Sequence, residues 1–112
     1  MDLHKEVLEH EDELIYLRRE FHKIPELGFK EFKTSEKIYK YLKDLGLEVE
    51  KITQTGVVAV LRGEKEGKTV MLRADMDALP VTEDTGLPFA SENEGIMHAC
   101  AHDGHIAMLL IA

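Results

Sequence analysis

A chain of 112 residues, 44% hydrophobic and 32% charged, lies near the lower end of domain size and holds one domain at most. Its formal net charge of -8 excludes a basic face for nucleic acid, and no apolar run approaches the roughly 18 residues of a membrane helix. One cysteine cannot form an intramolecular disulfide, and the acidic start "MDLHKEVLEHEDEL" lacks the layout of a signal peptide, so a reducing cytoplasm is the expected location.

Residues 2 to 23 carry Val7, Leu8, Leu14, Ile15, Leu17 and Phe21 at three- and four-residue intervals, a helical pattern. Pro25 disfavours helical geometry at Ile24, which ends the helix near His22 and leaves "PELGF" as a turn. A second helix is expected over residues 30 to 45, with Phe32, Ile38, Tyr41, Leu42 and Leu45 on its apolar side and Gly46 as its left-handed stop. Residues 47 to 52 alternate weakly as a strand. "GVVAVLRG" and "TVMLRADM", joined by the polar turn "EKEGK", are expected to pair as a hairpin. "DALPVTEDTGLPFASENEG" is a long Pro- and Gly-containing loop, a length that suggests a functional excursion. "HIAMLLIA" starts as a buried helix with few partners in the chain to cover it. The fold class is α/β, and the open apolar end makes an incomplete domain the expectation.

Ligand-type side chains concentrate in "HACAHDGH", residues 98 to 105. Thiolate and neutral imidazole are preferred ligands of zinc and similar divalent ions. Cys100 and His102 fall on one side of an extended segment, and Asp75 and Asp77 of "ADMD" alternate in the same way, so all four can face one site. Two other readings stand beside this one. A Cys–His pair can form an activated nucleophile, and a lone cysteine can be a small buried apolar residue while the aspartates cap a strand end. His22 reads as a polar residue near the helix C-terminal dipole, with no chemistry assigned. His4 and His10 read as solvated positions, and "EHEDE" as an exposed helical face.

Four stretches in order, "RREFHKIPELGFKE", "GVVAVLRG", "VMLRADMDALPVTEDTGLPFAS" and "GIMHACAHDGHIAMLL", resemble the N-terminal segments of M20-type metal-dependent amidohydrolases. The branch is that of N-acyl-amino-acid amidohydrolases, hippurate hydrolases, auxin-conjugate hydrolases and N-acetyldiaminopimelate deacetylases. The resemblance implies a zinc-peptidase-like catalytic domain, of which residues 1–112 form the N-terminal portion: two helices, then strands and a truncated helix. The inserted dimerisation domain and the C-terminal part are absent. It implies metal ligation by Cys100 and His102 and a catalytic, supporting role for Asp75. Asp77, Asp103 and His105 are implied as near-site support. The cofactor implied is a pair of divalent ions, Mn, Zn, Ni or Co, in the complete family site.

The implied reaction is hydrolysis of the amide of an N-acylated amino acid: metal-activated water attacks the carbonyl while a glutamate general base moves the proton. In the family that glutamate comes from a Glu-Glu motif some tens of residues beyond the cysteine, and this chain stops at Ala112. The chain alone is therefore expected to be inactive. The expected partner is a small N-acyl amino acid, with neither nucleic acid nor membrane. A homodimer or tetramer is implied for the complete protein, and self-association is expected of the exposed "IAMLLIA" face. The alternative is a non-catalytic product that binds metal weakly or docks a partner. Ala101 stands where the family usually has glycine, and Ile106 and Ile111 replace smaller or more polar residues; if position 101 requires positive φ, alanine strains it.

Overall fold

The computed structural model describes residues 2–112 and contains α1 (Leu3–Glu9), α2 (Glu11–Lys23), α3 (Phe32–Asp44), β1 (Glu48–Ile52), β2 (Gly56–Val60) and α4 (His102–Ile111). The expected first helix is broken in two at His10, whose φ of -104° and ψ of 5° leave helical geometry. Glu11, Asp12 and Glu13 crowd the first turn of α2, where acidic side chains favour a helix start. Among the described residues α1 buries no side chain: Leu3, Val7 and Leu8 are all more than half exposed. Apolar spacing there does not mean burial.

One face of α2 buries Leu17 and Phe21 against Ile106, Ala107 and Leu110 of α4, and Ile38 of α3 closes this single core. The helix ends at Ile24, as Pro25 requires. α3 ends as its sequence predicts. The Gly46 amide donates to the Lys43 carbonyl and the Leu47 amide to the Leu42 carbonyl, with Gly46 at φ 83°. This paired motif satisfies carbonyls that the last helical turn leaves open. Phe32, expected on the apolar side of α3, is instead 59% exposed, because it is the first helical residue and lies beyond the edge of the core.

The expected hairpin between residues 56–63 and 69–76 is not what forms. β1 pairs antiparallel with β2, with Glu48 opposite Val60 and Ile52 opposite Gly56. Only Thr53, Gln54 and Thr55 join these two strands, with Thr53 at φ 53°, so little loop entropy is lost in closing them. Residues 69–76 have no ladder partner among the described residues, and Val70, Met71 and Leu72 are 79%, 86% and 65% exposed. Arg62 pairs with Glu48, across the β1–β2 hairpin. No helix among the described residues is long and apolar enough to cross a membrane.

The two apolar runs should answer truncation differently. Leu17→Ala is expected to cost about 2–5 kcal/mol in chemical unfolding, as deletions in a core do. Leu72→Ala should cost no more than about 0.5 kcal/mol, as at an exposed position. Equal costs would mean that residues 69–76 pack as a covered strand.

Candidate functional site

The residues that follow α2 act as an anchor strip. The Lys23 carbonyl accepts from the Glu92 amide at 2.9 Å, the Pro25 carbonyl from Asn93 Nδ2 at 3.1 Å and the Glu26 carbonyl from the Ala78 amide at 2.8 Å. Leu79 and Met97 exchange backbone bonds of 2.9 and 3.0 Å, an isolated bridge that closes the long loop between them. The segment carrying Asp75 and Asp77 and the segment carrying Cys100 are thereby tied to the same place.

His102 is the first residue of α4, and its ring is clamped. Nδ1 lies 2.9 Å from the Asp77 carbonyl oxygen and 3.0 Å from Asp77 Oδ1. Both are acceptors, so Nδ1 donates and Nε2 faces outward, carrying the lone pair when the ring is neutral. Nε2 stands 3.9 Å from Asp75 Oδ2, whose other oxygen is held by Arg73. A gap of 3.9 Å is under twice a metal–ligand bond of about 2.1 Å, so one ion can touch both atoms. Asp75 and Asp77 thus converge on His102, as their alternation suggests.

Cys100 is free and exposed. The extended path expected from Cys100 to His102 is not formed. Ala101 adopts a left-handed conformation, φ 63° and ψ 16°, and turns the chain directly into α4. His105 is exposed one turn on, its ring centroid 6.1 Å from that of His102. Asp103 points away from this group into the interior. Among the described residues, no three His, Cys, Asp or Glu side chains are gathered tightly enough to enclose an ion. The donors fit one side of a metal site, and a closed shell needs more of them.

The largest polar feature escaped the sequence reading. His22 is 1% exposed, and it lies between two buried carboxylates. Its Nδ1 is 2.8 Å from Asp103 Oδ2 and its Nε2 is 2.7 Å from Glu83 Oε1. Arg18 Nε donates to the same Asp103 oxygen at 2.9 Å, and Asp103 Oδ1 accepts from the Gly104 amide at 2.9 Å. The rings of Phe89 and His22 meet in a T-shaped arrangement, and the guanidinium groups of Arg18 and Arg19 lie over the Phe89 face. The available signal was the spacing of Arg18 and His22, four residues apart beside the Leu17–Phe21 stripe, which places two polar groups at the rim of the core.

Burial pushes the Glu83 carboxyl up, but bonds from Thr85, the Ser91 amide and His22 outweigh it and hold it below its ordinary value. Burial pushes the His98 imidazole down, against the opposing pull of Asp103. Neither ring nitrogen of His98 has a hydrogen-bond partner among the described residues.

Two predictions follow from these environments. A carboxyl lowered by folding adds stability that is complete above its ordinary value of 4.5 and is lost as pH falls through the folded value. Glu83→Gln should therefore flatten the fall in melting temperature as the pH drops below about 5; an unchanged slope would remove Glu83 from the cluster around His22. At the left-handed position, Ala101→Val is expected to cost about 1–2 kcal/mol and Ala101→Gly to be neutral or to gain up to about 1 kcal/mol in urea unfolding. A stabilising valine would mean the chain does not turn there.

Residues 71–112 match the family model described as peptidase family M20/M25/M40. The chain is 54% identical over 110 residues to thermostable carboxypeptidase 1 of Saccharolobus solfataricus, covering 96% of this chain and 28% of that protein. It is 48% identical to the hippurate hydrolase of Campylobacter jejuni, covering 100% of this chain and 30% of that protein. Among solved structures it is similar to a dinuclear metal-binding peptidase of the M20 family from Bacillus subtilis, with a TM-score of 0.84 and 44% identity over 88% of this chain and 28% of that one. The chain spans less than a third of the length of each of these proteins.

Proposed function

The chain belongs to peptidase family M20/M25/M40, and we propose that it forms the N-terminal portion of a catalytic domain that hydrolyses the amide bond of N-acylated amino acids with divalent metal. The observation that carries this reading is the clamped ring of His102, with its free nitrogen 3.9 Å from Asp75 and the exposed thiol of Cys100 two residues before it. Cys100 and His102 would hold the metal. Asp77 fixes which nitrogen of His102 faces outward, and Asp75, oriented by Arg73, supplies negative charge across the site. When bound, the ion would polarise the amide carbonyl and acidify water.

The relatives' names support the substrate class, since hippurate is itself an N-acylated amino acid. Thiolate, imidazole and carboxylate donors suit manganese, zinc, nickel or cobalt, and a dinuclear site would draw its remaining ligands and its general base from residues outside this chain. The reading places the protein in the cytoplasm as a homodimer or tetramer acting on small molecules, with neither nucleic acid nor membrane as partner.

Two measurements test it. Equilibrium dialysis of the full chain with zinc should show binding that Cys100→Ser and His102→Asn each weaken at least about tenfold, or 1.4 kcal/mol. The longer protein that carries this chain should release glycine from hippurate and stop when its metal is chelated. Undiminished turnover after exhaustive chelation, or full zinc affinity in the Cys100→Ser variant, would overturn the reading.

A further inference from the structure

We propose that His22 is a positioning residue: through Asp103 it sets the start of α4 and so the aim of Cys100 and His102 at a metal ion. The inference rests on the ligand reading of Cys100 and His102 given above.

Asp103 follows His102 directly, and both of its oxygens are taken. One meets His22 Nδ1 and Arg18 Nε, and the other accepts from the Gly104 amide in the first turn of α4. The carboxylate has no freedom left, and the helix start has none either. His22 is equally fixed. Its far nitrogen meets Glu83, which is itself held by the Ser91 amide and the Thr85 hydroxyl, and Phe89 packs against the ring in a T-shaped contact.

The apolar contact between α2 and α4 cannot do this work. Leu17 and Phe21 meet Ile106, Ala107 and Leu110 in apolar contacts, which have no preferred direction of their own. The hydrogen bonds are directional and weaken steeply off axis. A turn of α4 about its own axis would break the 2.8 Å contact at Asp103 and swing His102 away from Asp77, one residue earlier on the same turn. The clasp therefore fixes the rotational setting that the core leaves loose. Its effect on the site passes through a single peptide unit.

Cobalt(II) alone is the probe, titrated into the full chain and followed by its thiolate charge-transfer band. His22→Gln and Asp103→Asn should each weaken cobalt binding by about 10- to 100-fold, as lost outer-shell partners do, and should alter the band. Ile38→Ala is the control, since it loosens the core from α3 without touching the clasp. It should lower the melting temperature yet leave cobalt affinity within about twofold. Unaltered cobalt binding in both clasp variants, or an equal loss in Ile38→Ala, would overturn the inference. If the wild-type chain gives no thiolate band, the ligand reading fails, and hydrogen exchange at the Gly104 amide decides the placement of α4. His22→Gln should then speed exchange about tenfold more than Ile38→Ala does. Equal rates would overturn it.

Discussion

The imidazole of His22 meets Asp103 through one nitrogen and Glu83 through the other, inside a shell that leaves it 1% exposed. Three stretches distant in sequence are joined at that ring: the C-terminal end of α2, the loop around residue 83 and the first turn of α4. Carboxylates at such burial survive only when their hydrogen-bonding capacity is filled, and here His22, Arg18, Ser91, Thr85 and the Gly104 amide fill it. Removing one partner strands a charge in the interior, so the group stands or falls together. The anchor strip just beyond, at Lys23, Pro25 and Glu26, continues the same task with carbonyls that accept from the amides of residues 78 and 92 and from the Asn93 side chain. Two segments that carry ligand-type side chains thus meet because one helix end holds both.

The candidate site was legible in the sequence as far as ligand-type side chains declare themselves by residue type and short spacing. Cys100 and His102 stood out for that reason, and Asp75 and Asp77 followed from their alternation. The structure brings both aspartates to His102, at 3.9 and 3.0 Å. The path between Cys100 and His102 was misread, because side-chain type says nothing about the left-handed turn at Ala101. His22 was misread for a different reason: its partners lie 61 and 81 residues away, and no local pattern reports a contact so distant.

The fold was legible where local rules decide. Pro25 ended α2, and Gly46 ended α3 in the expected geometry. It was illegible where pairing decides. Residues 69–76 have the composition of a strand, but a strand exists only with a partner, and among the described residues they have none. α1 repeats the lesson among helices, since its apolar spacing earned no burial. The exposed run of Val70, Met71 and Leu72 and the one-sided arrangement of donors around His102 belong together. Both lie open at the surface, and the chain spans less than a third of the length of the relatives it matches.

The account centres on a divalent ion held by the sulfur of Cys100 and the outward nitrogen of His102. X-ray absorption at the zinc edge of the zinc-loaded chain examines that contact directly. One sulfur at about 2.3 Å and imidazole nitrogen at about 2.0–2.1 Å in the coordination shell is the predicted result. A shell of oxygen and nitrogen alone, unchanged when Cys100 is replaced by serine, would contradict it.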